Sequence, residues 1–293
     1  MKSSRSENLT RLTAVSILAF LCCMLPKRAR ASHRIGLLSL AWQGKNQMKL
    51  PLKLGKEPLI EAIFEIRFTA TLPVSSILPG LMFQGLQGEK LIERLPASEL
   101  PQQLRNIDPN LRYAPLIRIR WQSFTILISD QSVGLACTIP YPGWGAFKPA
   151  ILKIVEIVGL AGVIESVERF SLKYTDILPL ELGDLDSLVE FDLKIGPYDA
   201  AGKNVQIRAE IPKDGLIHLV QLASSGTAKM ADGTTREGVA LDIDTVALVG
   251  NAEFSDFFET LAERVEFGHL ENKAMFFACL KQKAIDKLEP VYD

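Results

Sequence analysis

Glu57-Pro-Leu-Ile-Glu-Ala-Ile-Phe-Glu-Ile-Arg-Phe68 decides how this chain folds. Its even positions from Ile60 to Phe68 are all apolar, while Glu61, Glu65 and Arg67 alternate with them. A period of two is that of a strand with one buried face and one polar face. The same division recurs downstream. In Ile164 to Tyr174, Phe170, Leu172 and Tyr174 take one side and Arg169, Ser171 and Lys173 the other. One apolar face per strand predicts an α+β fold: antiparallel sheet in one or two layers, with helices packed on the apolar side.

Outward from that stretch, Leu116 to Trp121, Phe124 to Ser129 and Val133 to Thr138 read as three strands, joined by connections of hairpin length. Upstream of them, Leu81 to Leu95 reads as a short helix followed by a loop, broken by Gly85 and Gly88. Tyr141 to Gly145 is a turn that leads into a helix around Pro149 to Leu160, with Pro149 in its first turn. After Leu180 to Ser187, a loop placed as a boundary, Val189 to Ile195, Val205 to Ile211, Leu216 to Leu222 and Val239 to Leu248 are strand-like. Ser224 to Arg236 reads as a polar loop with Asp232-Gly233 at its tip. The chain closes in a long helical segment that starts near Phe254, with Gly268 as a possible break. The order of elements predicts two related α+β halves, 48–180 and 181–293, behind an extension of residues 1–47.

That extension differs in kind. Leu12 to Leu25 has the length of a signal-peptide core, preceded by Lys2, Arg5 and Arg11, with Ala29-Arg30-Ala31 suited to cleavage. Lys27, Arg28, Arg30 and Arg34 follow directly, and basic residues tend to stay on the cytoplasmic side. Three readings stand together: a signal peptide, a membrane tether, or a start at Met48 with the upstream residues mis-assigned. The cysteines do not form a disulfide framework or a zinc motif, and the expectation is a cytoplasmic body. With 47% hydrophobic residues over 293 positions the chain can bury a substantial core. Basic residues number 33 and acidic residues 34, a balance that argues against nonspecific attraction to nucleic acid or anionic membrane.

Candidate chemistry is sparse. Asp242 and Asp244 lie two apart in a strand, so their side chains share a face on which a divalent cation would bridge them, with Glu65 or Glu210 in support. Arg118, Arg120, Arg169 and Arg208 would compete for the same acids by cross-strand pairing. Glu61, Glu65, Arg67, Arg169, Trp144 and Tyr174 are candidates for ligand contact, with Trp121 as a further aromatic on the sheet. His218 reads as a core histidine, and Cys137 and Cys279 as buried thiols. No dinucleotide, phosphate-loop or nucleophile-elbow pattern appears, and no cofactor is expected.

Pro58 to Phe68, Glu168 to Tyr174, Gly238-Val-Ala-Leu-Asp-Ile-Asp244 and His269 to Leu280 resemble a sporadically distributed bacterial family of uncharacterised proteins. The likeness runs from about Met48 to the C-terminus and implies a cytoplasmic protein starting just before the first strand. It brings no activity, cofactor or catalytic residue with it. Sporadic distribution implies a partner encoded nearby. Two functions remain: a binding or regulatory module that engages a protein or small ligand over a concave sheet, and a metal-dependent hydrolase or nuclease using Asp242 and Asp244.

Overall fold

The computed structural model describes residues 50–109, 111–199, 204–230 and 232–293. The segment read as signal-like, and Met48, lie outside the described residues. Nine strands form one antiparallel sheet. In chain order they are β2 (Leu59–Ala70), β3 (Lys90–Arg94), β4 (Ile117–Trp121), β5 (Phe124–Ile128), β6 (Ser132–Cys137), β7 (Ile164–Pro179), β10 (Gln206–Lys213), β11 (Leu216–Lys229) and β12 (Thr235–Ala252). Across the sheet the order is β10-β11-β12-β7-β2-β6-β5-β4-β3. Two small pairs flank it: β1 (Lys53–Leu54) with β13 (Pro290–Val291), and β8 (Lys194–Ile195) with β9 (Tyr198–Asp199).

The organising strand sits at the centre, between β6 and β7. Its even-numbered residues are the reason: Ala62, Phe64, Ile66 and Phe68 are buried. Phe64 packs on Phe170, and Phe170 on Phe257 of the long C-terminal helix. Among the described residues six α-helices complete the fold: α1 (Leu78–Gly85), α2 (Gln102–Ile107), α3 (Trp144–Leu160), α4 (Leu185–Leu188), α5 (Phe254–Cys279) and α6 (Gln282–Lys287). α3 and α5 pack on each other; α5 lies on β7 and β12, and α3 on β6. Together they cover one face of the sheet, so the α+β expectation with a long C-terminal helix holds. The boundary expected after residue 180 falls at the end of β7, but the strands on either side of it belong to one sheet.

Several local expectations are corrected. Leu81 to Leu95 is not helix and loop throughout, because Lys90–Arg94 is the edge strand β3. Five residues with adjacent Leu91 and Ile92 show no period of two. The helix placed from Pro149 begins at Trp144, where Gly143, at φ 87°, turns the chain; Pro149 lies inside it. Gly268 does not interrupt α5. Its bare Cα faces Leu172 and Phe170 across the contact of helix and sheet. Val189 to Ile195 is not a strand: Val189 makes one bridge to Leu280, and only Lys194–Ile195 pairs further. Ser224 to Arg236 is mostly not a loop. β11 and β12 run through it as a hairpin arm, and its Ser, Gly and Thr residues give it no apolar alternation, although Ala228 within it is buried. Asp232 does lie in the turn, where its carboxylate accepts from the Thr234 amide at 2.9 Å.

No helix among the described residues is long and apolar enough to cross a membrane.

Candidate functional site

Register places most of the predicted residues together. Across β2, β7 and β12 the polar face reads in rows: Glu61, Thr175, Asp242; then Ile63, Lys173, Asp244; then Glu65, Ser171, Val246; then Arg67, Arg169, Leu248. Six of the eight predicted site residues therefore lie on one face of three adjacent strands. Lys173 and Thr175, not selected from sequence, sit at its centre. Both were recognisable from the same alternation that marked Arg169.

The geometry of this face is that of a charge lattice. Lys173 Nζ lies 2.9 Å from Glu61 and 3.1 Å from Asp242. Thr175 donates a 2.7 Å hydrogen bond to Asp242. Glu65 receives Arg67 at 2.9 Å and Arg169 at 3.2 Å, so one carboxylate serves two guanidinium groups that the register sets directly opposite each other. Arg67 also lies 4.0 Å from the centre of the Tyr113 ring, whose hydroxyl donates to Glu168. Arg67, Arg169 and Asp242 are all more than nine-tenths buried. Charges removed from water in this way stay ionised only when paired.

Burial opposes the charge on Lys173, yet Asp242 and Glu61 outweigh it and raise its pKa above the usual lysine value. Burial also raises Asp242, with Lys173 pulling the other way, and raises Asp244, which Arg169 offsets in part. One Asp244 oxygen, Oδ1, and the Arg169 Nε are buried without a hydrogen-bond partner, so the lattice is left one acceptor and one donor short.

For a metal, the lattice is a poor host. Of the two acids expected to bridge a cation, Asp242 is already paired with the Lys173 ammonium at 3.1 Å. Among the described residues no group of three or more His, Cys, Asp or Glu is arranged to hold an ion. Glu210 shares a register row with Asp244 but is separated from it by Leu219 of β11, out on the edge strand β10, where it pairs with Arg208 at 3.2 Å.

Trp144 and Tyr174 lie on the opposite, helix-covered face. There His269, one turn into the second half of α5, joins them: Trp144 stacks on its ring at 3.9 Å, and the Tyr174 hydroxyl shares a 3.0 Å hydrogen bond with its Nδ1. Trp144 Nε1 and Lys148 both donate to Glu266, at 3.0 and 2.6 Å. Burial, with Lys273 adding to it, lowers His269 to about 4, so the imidazole is neutral at physiological pH. Burial raises the Tyr174 phenol well above its usual range. Sequence spacing offered no hint of this grouping, because its members come from a turn, a strand and a helix. Trp121 is a core residue whose indole donates to the Gln87 carbonyl. His218 is buried and bonded to Thr245 Oγ1, as a core histidine should be. Thr245 also accepts from Asn272, which reaches from α5 to the carbonyls of Leu172 and Ile243. Burial raises the Cys137 thiol to about 12 and raises Cys279 as well, which leaves both unreactive.

A cleft of about 760 Å³ opens at the end of the central strands, where β2 begins and β7 ends. Glu57, Glu181, Arg236 and Glu237 provide charge on its wall, and Pro140, Leu182, Met230 and Leu288 provide apolar surface. Arg236 is fixed in place by donating to the carbonyls of Glu57 and Leu59, reaching from β12 across the end of β7. Behind it, burial and then Glu57 raise the Asp176 carboxyl well above its ordinary value.

No family model matches the chain, and the curated proteins compared with it include no relative.

Proposed function

We propose that this chain is a binding or regulatory protein, and that a small ligand or a segment of a protein partner enters the cleft beside Glu57 and Arg236. The observation that carries the proposal is the cleft itself. Its volume lies within the range of small-molecule sites, and its wall mixes apolar side chains with a few fixed charges. The charge lattice on the polar face then serves as scaffold, since it holds β2, β7 and β12 in the register that shapes the cleft. The likeness to a sporadically distributed bacterial family belongs to the same proposal and points to a partner encoded nearby.

The metal-dependent hydrolase retains one observation in its favour, the unpartnered Oδ1 of Asp244 beside Asp242. One experiment separates the two. The chain is purified from its host, and co-eluting proteins and small molecules are identified by mass spectrometry, alongside a Met230→Trp variant that fills the cleft. The proposal expects a bound species that the variant loses while its melting temperature is unchanged. It fails if nothing co-elutes while a divalent ion raises the melting temperature and Asp242→Ala with Asp244→Ala abolishes that rise.

A further inference from the structure

The two outer strands of the sheet, β10 and β3, both present an unpaired edge among the described residues, yet their sequences suit pairing differently. β10 is joined to β11 by the two-residue turn Asp214-Gly215, both at positive φ, with Lys213 opposite Leu216. In such a hairpin the flanking pair is hydrogen-bonded, so the odd residues Ile207, Ala209, Ile211 and Lys213 direct their backbone groups to β11. The even residues Gln206, Arg208, Glu210 and Pro212 direct theirs outward. All four are exposed, and no strand among the described residues pairs with the edge.

We propose that β10 pairs antiparallel with β10 of a second copy of this chain, about a two-fold axis through Ala209. A two-fold axis perpendicular to the sheet keeps both polar faces on one side, so only residues of equal parity meet. Centred on Ala209, this register sets Arg208 opposite Glu210 of the second copy, and Glu210 opposite its Arg208, on the polar face. On the other face it sets Ile207 against Ile211 and Ala209 against Ala209. Cross-strand pairs of these kinds stabilise a sheet, whereas like charges directly opposite oppose it. Within one copy the Arg208–Glu210 pair is an exposed contact between near neighbours, weak enough to exchange. Pro212 removes one donor at the end of the ladder, opposite Gln206, and limits its length without blocking the central pairs.

The same construction fails at β3. A two-fold axis at Ile92 would set Lys90 against Arg94, and one at Leu91 would set Glu89 against Glu93. Glu93 is in addition already bound by Arg118 and Arg120. Edges that repel their own copy are a common protection against aggregation, and β3 has that property where β10 does not.

Sedimentation velocity and native mass spectrometry of the intact chain, with Arg208→Glu and Glu210→Arg separately and mixed, test the proposal. The wild type is expected to dimerise as concentration rises. Each single variant turns two opposite-charge contacts into two like-charge ones and is expected to weaken dimerisation roughly tenfold or more. An equimolar mixture of the two variants restores complementarity and is expected to recover a one-to-one heterodimer. Circular dichroism checks that each variant stays folded. A wild type that remains monomeric, a dimer indifferent to either reversal, or a mixture without the heterodimer would overturn the proposal.

Discussion

The two faces of the same three strands solve the problem of buried polarity in opposite ways. On one face β2, β7 and β12 carry full charges, and each ion is held by a neighbour that the register brings beside it: Lys173 between Glu61 and Asp242, Glu65 between Arg67 and Arg169. Under the helices neutral polar groups sit beside the Lys148–Glu266 and Lys213–Glu271 ion pairs. His269 is uncharged between Trp144 and Tyr174, and Asn272 donates to two main-chain carbonyls and to Thr245. The charged face depends on strand against strand, and the neutral face on helix against strand. A change confined to one face should therefore betray itself by a different kind of response.

Removing the central cation should produce the largest effect. Lys173→Met keeps the length of the side chain but leaves Glu61 and Asp242 facing each other with no counter-charge between them. Breaking a buried pair from one side costs about 3–5 kcal/mol. Urea unfolding at pH 7 is expected to show a loss of that order, partly recovered on mild acidification as the two carboxyls take up protons. A loss below about 1 kcal/mol would mean that the lattice is solvated and contributes little.

How much of this contrast was legible in the sequence follows from the same physics. Alternation with a period of two identified the strands and the face on which Glu61, Glu65, Arg67, Arg169, Asp242 and Asp244 would lie, because pleating alone fixes side-chain direction. It did not reveal that Lys173 would pair with Asp242, one of the two acids considered for a metal, since that depends on which strands are neighbours. β7 pairs with β2 and β12 although long stretches of chain separate them. The neutral cluster was less legible still. Trp144 and Tyr174 were selected as aromatics, but the helix break expected at Gly268 hid the continuous α5 that carries His269 between them. Edge strands such as β3 are short and lack a buried face, and so they carry no pattern to read.

Acid should act on the neutral face with a definite sign. The folded-state pKa of His269, about 4, lies below the unfolded value of about 6.5. Between those two values the unfolded chain binds more protons, so stability falls as pH drops through this window. The contribution is on the order of 3 kcal/mol. Asp176, Asp242 and Asp244 work in the opposite sense, since burial raises them and protonation favours the folded state. The comparison is therefore made between wild type and His269→Gln. The variant is expected to be less stable at pH 7, having lost the stack on Trp144, but to have lost the destabilisation that wild type suffers between pH 6.5 and 4. Parallel stability curves for the two proteins would show that the imidazole is already solvated.

The smallest effect sharpens the comparison by asking how tightly helix and sheet are fitted. A methyl group at Gly268 would meet Leu172 at 3.4 Å and Phe170 at 3.8 Å, ordinary contact distances. Gly238, on the sheet itself, has no such room: a methyl there would fall 1.8 Å from the Leu178 carbonyl oxygen. Alanine is favoured over glycine inside a helix by about 1 kcal/mol. Gly268→Ala is thus expected to raise stability by about 0.5–1 kcal/mol, measured by thermal or urea unfolding, since it stiffens the middle of α5 without moving it. If Gly268→Ala instead destabilises, α5 must rest on Leu172 and Phe170 with no slack. The neutral face would then be held as rigidly by packing as the charged face is by its ion pairs.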